Sequence, residues 1–172
     1  MLSSTFFPEL FKTVVFIVVL FFAARWFGGM GVGAPLVPLK KRDWQDGMAL
    51  AEVKPDELVM DLGSGDGRLL VESAKRGARV IGYEINPFMV WYAKRKLSVF
   101  GEKAEVYGKN LFDADLSQAD VIFIFQVGNF MAKIGEKLQK ECKSGARAIV
   151  FAFELPGKKH EKEQGIAKLY RF

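Results

Sequence analysis

The stretch Asp61-Leu-Gly-Ser-Gly-Asp-Gly67 places three glycines at alternate positions. It follows Glu57-Leu-Val-Met60, an apolar run that reads as a buried strand, and leads straight into a helical pattern. Glycine lets a backbone turn tightly and approach a ligand that a side chain would block. A strand, a glycine turn and a helix in that order form a cradle for a nucleotide-like cofactor. Seventeen residues past Gly67 a second strand-like run, Arg79-Val-Ile-Gly-Tyr-Glu84, ends in an acid. That is where a ribose-binding carboxylate belongs.

From about Pro35 onward the chain alternates helix and strand. Asp43 to Ala51 reads as a short helix capped by Asp43, with Trp44, Met48 and Ala51 on one face. Leu58 to Leu62 is the first strand, and Gly67 to Lys75 a helix stopped by Gly77. Arg79 to Tyr83 is the second strand. Asn86-Pro87 then opens a helix, Asn as cap and Pro in the first turn, with Met89, Ala93, Leu97 and Phe100 at helical spacing. Ala104 to Tyr107 is the third strand and Asp120 to Phe125 the fourth, apolar on both faces as a parallel strand requires. Phe130 to Cys142 reads as a helix and Ala146 to Phe153 as the fifth strand, and Ile166 to Phe172 alternates like an edge strand. Such alternation implies an α/β fold, a parallel sheet with helices on both faces. The glycine turn, Glu84, Asn110 and Gln126 then share the carboxyl ends of the strands, where such sheets bind ligands.

The charges narrow the cofactor. A phosphate-binding loop needs Gly-Lys-Ser/Thr, but Arg68 and Leu69 follow Gly67. A dinucleotide fingerprint needs a last glycine where Arg68 stands. Asp61 and Asp66 flank the turn, and carboxylates there repel a pyrophosphate but not a cation. S-adenosylmethionine carries a sulfonium, an ammonium, a carboxylate and a ribose but no phosphate. N–H groups at the helix start can take its carboxylate, Asp61 its ammonium side, and Glu84 both ribose hydroxyls. Asp61 as a solvated strand-end residue and Glu84 as a helix-start charge are the plainer alternatives. A nicotinamide-dependent dehydrogenase is disfavoured by Asp61 and the missing glycine.

Asp61 to Gly67, together with Gly82-Tyr-Glu-Ile-Asn-Pro87, resembles the class I S-adenosylmethionine-dependent methyltransferases. Within them the chain is similar to the ATP synthase c-subunit lysine N-methyltransferases and their prokaryotic relatives. An N-terminal hydrophobic segment, Ala34-Pro-Leu-Val-Pro38, Asn86-Pro-Phe-Met-Val-Trp-Tyr92 and Asn110-Leu-Phe-Asp-Ala-Asp-Leu-Ser117 carry that closer likeness. The resemblance implies a Rossmann-like fold and cofactor contacts from Asp61, Gly63, Ser64, Gly65, Gly67, Glu84, Ile85, Asn110 and Leu111. It also implies a protein-lysine acceptor. Asn110 stands where the wider class carries an acid, and Gln126-Val-Gly-Asn129 where the family tends to show Gly-Val-Pro. Gln126 and Asn129 are candidates to orient the nucleophile, Asn129 alternatively capping a helix. A lipid, quinone or other membrane-associated acceptor, and a non-catalytic cofactor-binding membrane module, are alternatives.

Thr13 to Ala24 is an unbroken apolar run of twelve residues. As a helix it covers about 18 Å, against a hydrocarbon core of about 30 Å. Extended from Leu10 to Phe27 it reaches about 27 Å, with Lys12 and Arg25 placed to snorkel. A cleaved signal peptide and a buried core helix compete with the preferred reading, an N-terminal transmembrane helix over residues 1–27. A glycine-rich joint (28–34) and a methyltransferase domain (35–172) follow. Arg25, Lys40, Lys41 and Arg42 follow the apolar run, against Lys12 before it, and place the domain in the cytoplasm, partnered by the lipid bilayer. The lack of an Arg/Ser-rich leader favours a bacterial cell membrane over a mitochondrial inner membrane. The lone Cys142 and lone His160 argue against an intrachain disulfide, a metal site or a His-activated nucleophile. The net charge of +5 comes without any aromatic-interleaved basic stripe, so no nucleic-acid partner is expected.

Overall fold

A computed structural model describes residues 6–28, with side chains at 8 and 10–21, and residues 38–172. The chain divides into two units, Met1–Leu36 and Val37–Phe172. In the first, α1 runs Phe6–Gly28. Its apolar side chains at Leu10, Phe11 and from Val14 to Phe21 are exposed. The expected transmembrane helix is not supported: among the described residues no helix is long and apolar enough to cross a membrane. α1 has 23 residues, but the unbroken apolar run within its sequence, Thr13 to Ala24, covers only about 18 Å as a helix, short of a hydrocarbon core of about 30 Å. Positions 29–34 of the expected glycine joint lie outside the described residues, as do 34–37 of the proline segment.

The second unit is built on one seven-stranded sheet. Its elements in order are α2 (Lys41–Ala51), β1 (Leu58–Leu62), α3 (Arg68–Lys75), β2 (Arg79–Tyr83), α4 (Pro87–Leu97), β3 (Ala104–Tyr107), β4 (Val121–Ile124), α5 (Gly128–Glu141), β5 (Arg147–Phe151), β6 (Lys162–Gln164) and β7 (Ala167–Arg171). The strand order is β3-β2-β1-β4-β5-β7-β6. The first five strands are parallel, and β7 runs antiparallel to both β5 and β6.

Strand alternation feeds two cores. Val59, Val80, Phe123, Ile149 and Phe151 join residues of α2, α3 and α4 in one cluster. Met60, Leu62, Ile122, Ile124 and Val150 join Met131, Ile134 and Leu138 of α5 in the other. Every residue of β4 and β5 is buried, as strands covered on both faces must be.

Two local expectations fail. The tail strand is not at the edge: β7 lies between β5 and β6, so its alternation reflects a mostly buried inner strand. The edge is β6, whose Lys-Glu-Gln is wholly exposed and carries no apolar periodicity. Asp43 does not cap α2, which begins at Lys41 with Lys40 in the cap position and no side-chain capping bond. Asn86 behaves as expected, its side chain accepting from the N–H groups of Phe88 and Met89.

Candidate functional site

The turn after β1 is held by hydrogen bonds from the strand beside it. Gly63 and Ser64 N–H both donate to the Tyr83 carbonyl, at 2.8 and 3.0 Å, and Gly67 N–H donates to the Ser64 carbonyl at 2.8 Å. All three glycines have positive φ: +99 at Gly63, +50 at Gly65 and +74 at Gly67. Their surroundings differ. A Cβ on Gly63 would collide with Gln126 Nε2, and one on Gly67 would stand 3.0 Å from Ala93 Cβ on α4. A Cβ on Gly65 would meet nothing within 4 Å. Gly63 and Gly67 therefore permit internal packing, while Gly65 keeps open the space in front of the turn.

Glu84, at the end of β2, is nearly buried. Its Oε2 accepts from Gly65 N–H at 2.9 Å and its Oε1 from Asn86 N–H at 2.7 Å. Each oxygen keeps a further lone pair for a hydroxyl donor. Asp61 is only 4 % exposed. Burial first, then the negative charges of Glu84 and Asp66, push its carboxyl up to about 8. A buried acid of that kind is a waiting counter-charge for a cation. Ser64 Oγ is buried and, among the described residues, has no hydrogen-bond partner. It lies over β2, 2.7 Å from where a Cβ on Gly82 would stand, so a glycine at 82 makes room for it.

Asp66 does not play the part its position suggests. Arg68 Nε reaches Asp66 Oδ1 at 2.8 Å, and Lys96 Nζ, from α4, reaches Oδ2 at 3.2 Å and the Asp66 carbonyl at 2.9 Å. Burial raises the Asp66 carboxyl, but those two cations outweigh it and hold it below the usual carboxylate range. Its charge is thus spent internally, and Asp61 is left as the buried acid that ionises most readily beside a cation. Arg68 Nη1 also donates to the Leu39 carbonyl at 2.8 Å, tying the approach to α2 onto the turn. Lys96 does not stand out in the sequence, because it lies thirty residues from Asp66.

The other expected residues sort differently. Ile85 is exposed beside Glu84. Asn110 is exposed, and its side-chain oxygen accepts from Phe112 N–H at 3.0 Å, capping a short 3-10 turn over Leu111–Asp113. Gln126, just past β4, donates from Nε2 to the Leu62 carbonyl at 3.1 Å. Its amide thereby braces the start of the glycine turn. Asn129 does not cap α5, whose cap position is Val127; it lies exposed in the first turn. Asp61, Gly63, Ser64, Gly65, Glu84 and Gln126 are brought together at the carboxyl ends of β1, β2 and β4. Asn110 and Leu111 follow β3 on the same edge.

The same edge holds a residue that sequence reasoning does not find. Ala152, directly after β5, has φ +65 despite carrying a Cβ. Such a residue costs on the order of 1–3 kcal/mol and collects near functional sites. The apolar run through Phe153 conceals it.

Sheet order, glycine turn and the acid closing β2 together define a Rossmann-like domain of the class I methyltransferase kind. A solved RNA methyltransferase from Salinibacter ruber, in complex with S-adenosyl-L-homocysteine, superposes with TM-score 0.72 and 28 % identity, covering 79 % of this chain and 92 % of that one. The family described as the ANTKMT methyltransferase domain matches residues 61–162, and the chain belongs to it. The human ATP synthase c-subunit lysine N-methyltransferase is 34 % identical over 125 residues, covering 71 % of this chain and 53 % of that protein. A protein-lysine N-methyltransferase of Saccharolobus islandicus (strain REY15A) is 32 % identical over 127 residues, covering 72 % of this chain and 79 % of its own. The chain spans about half the length of the human, rat and mouse relatives it matches.

Proposed function

We propose that this domain transfers a methyl group from S-adenosylmethionine to a lysine amine of a protein. The observation that carries the reading is the set of unspent groups at the turn: the open space before Gly65, the free lone pairs of Glu84 and the buried Asp61. They fit a cationic, ribose-bearing, phosphate-free cofactor. Glu84 would hold the ribose hydroxyls, Ser64 and Asp61 the amino-acid end, and Ile85, Asn110 and Leu111 the base. The relatives named as lysine methyltransferases support the acceptor class.

When bound, the cofactor supplies a methyl carbon already activated by its sulfonium. The chain's residues align an acceptor with that carbon and keep water away. The amine nitrogen must arrive uncharged, although a free lysine has a pKa of about 10.4. Desolvation at the strand ends lowers it, so no residue need serve as a dedicated base. The cofactor would give up that carbon and leave as a neutral thioether, so the chain need supply no acid for a leaving group. The nitrogen then loses a proton to solvent. Gln126 has its Nε2 committed to Leu62, which leaves its side-chain oxygen to orient the amine. Asn129, exposed in the first turn of α5, is a second candidate for that role.

The test is incubation of the full chain with isotope-labelled S-adenosylmethionine and a membrane fraction, with the labelled product then identified. Label on protein lysine is expected. Label confined to the lipid extract would reject the lysine acceptor, and no binding of S-adenosylhomocysteine by calorimetry would reject the cofactor.

A further inference from the structure

At the carboxyl end of β5 the backbone leaves the course that Ala146 to Phe153 suggests. Phe153 N–H donates to the Phe151 carbonyl at 2.8 Å, closing a three-residue turn around Ala152 at φ +65. Ala152 N–H is itself fixed on the Ile166 carbonyl at 2.8 Å, at the foot of β7. A turn of this hand on a residue with a Cβ is rare and strained. It persists because the β5–β7 ladder, which runs up to the pair Phe151 and Ala167, determines the chain on both sides.

The strain has a visible result. Had the strand continued, Phe153 would share a face with Phe151, which is buried in the cluster with Met48 of α2. The turn sends it instead over the connection from β4 to α5. Its ring stands 3.5 Å from where a Cβ on Gly128 would be, and Phe153 stays 37 % exposed. Gly128 opens α5 two residues after Gln126, whose amide nitrogen abuts the Gly63 position of the turn. An apolar aromatic surface thus lies over Gly128, two residues along the chain from Gln126, whose amide is bonded to the end of β1.

We propose that Phe153, held in place by the turn at Ala152, forms a wall of the acceptor entrance and selects an acceptor with an apolar stem and a terminal amine. An aromatic face packs against methylenes and attracts an alkylammonium at the entrance, before desolvation further in strips its proton. A glycine at 128 keeps that wall clear of a competing side chain. This inference rests on the methyl-transfer reading above and names a specificity-determining residue within it.

The test compares the full-length wild type with Phe153→Ala, Phe153→Tyr and Ala152→Gly. Two quantities are measured: affinity for S-adenosylhomocysteine, and methyl transfer at graded amounts of the detergent-solubilised membrane fraction. Phe153→Ala is expected to raise the half-saturating acceptor concentration about tenfold, the scale of a lost apolar pocket contact. Cofactor affinity should stay unchanged, and Phe153→Tyr should restore wild-type behaviour. Ala152→Gly tolerates the positive φ without strain, so it should keep the melting temperature while raising half-saturation through a looser Phe153. Unchanged half-saturation in Phe153→Ala, beside an active wild type, would overturn this inference alone. So would an equal loss of cofactor affinity, which would make the ring part of the cofactor cradle. A wild type that binds cofactor and transfers nothing would overturn both readings.

Discussion

Glu84 and Gly65 are joined by a 2.9 Å hydrogen bond from the glycine N–H to carboxylate Oε2, across nineteen residues of sequence. The bond makes the acid at the end of β2 a structural part of the turn at the end of β1. Glu84→Ala would therefore leave the N–H groups of Gly65 and Asn86 without their acceptor. A loss of about 1–3 kcal/mol is expected on unfolding by urea. Loss of S-adenosylhomocysteine binding is expected by calorimetry. Glu84→Gln keeps one acceptor oxygen and should retain more stability than binding.

The three glycines separate two kinds of failure. Gly63→Ala meets Gln126 and sits at φ +99, so it should lower the melting temperature and the yield of folded protein. Gly65→Arg meets no protein atom at its Cβ and should leave the fold largely intact, apart from the strain of φ +50. Its side chain would occupy the space before the turn, so cofactor binding should vanish. Equal stability losses in the two variants would contradict the assignment of that space to a ligand.

Asp61 gives stability a definite pH slope. Its folded-state value of about 8 exceeds the ordinary 3.8 of an aspartate, so the folded protein binds the proton more tightly than the unfolded chain does. Between those values the native state holds more protons, and stability falls as pH rises, by at most about 1.4 kcal/mol per unit. The contribution is complete below the unfolded value and lost as pH climbs through the folded one. Asp61→Asn should flatten this slope in denaturation curves from pH 4 to 8. Binding a cation beside Asp61 should release a proton near pH 7, visible as a buffer-dependent enthalpy. An enthalpy independent of buffer would remove Asp61 from the cofactor's cationic end.

The Asp66–Arg68–Lys96 cluster predicts a modest, local effect. These side chains are roughly a third exposed, so solvent screens them. Arg68→Met should cost about 1 kcal/mol and raise hydrogen exchange around Leu39, whose carbonyl it releases. Lys75→Met, which removes an exposed i,i+3 pair with Glu72, should cost no more than about 0.5 kcal/mol.

Much of the sheet is legible in the sequence because buried parallel strands advertise themselves. Leu58–Leu62 and Arg79–Tyr83 are apolar runs bounded by polar or glycine residues, and they fold as read. Lys162–Gln164 is not legible: its ordering comes from pairing with β7, not from any pattern of its own. The site divides in the same way. Glu84 can be found because local spacing from the turn specifies it. The role of Asp66 depends on Lys96, brought near only by the packing of α4 on α3, and spacing carries no trace of that. Ala152 is hidden for a third reason. Its φ is imposed by the neighbouring ladder, against the preference of the residue itself.

The position of β7 carries a consequence for how the domain is made. It is the last strand in chain order, yet it fills the place beside β5. Until Ala167–Arg171 leaves the ribosome, the five buried residues of β5 present an open row of unpaired N–H and C=O groups. The native protein shields its final edge with the polar Lys-Glu-Gln of β6, which also follows β5 in synthesis. A nascent chain stalled after Phe151 thus shows its stickiest edge and none of its guards, and would be the form a chaperone must hold.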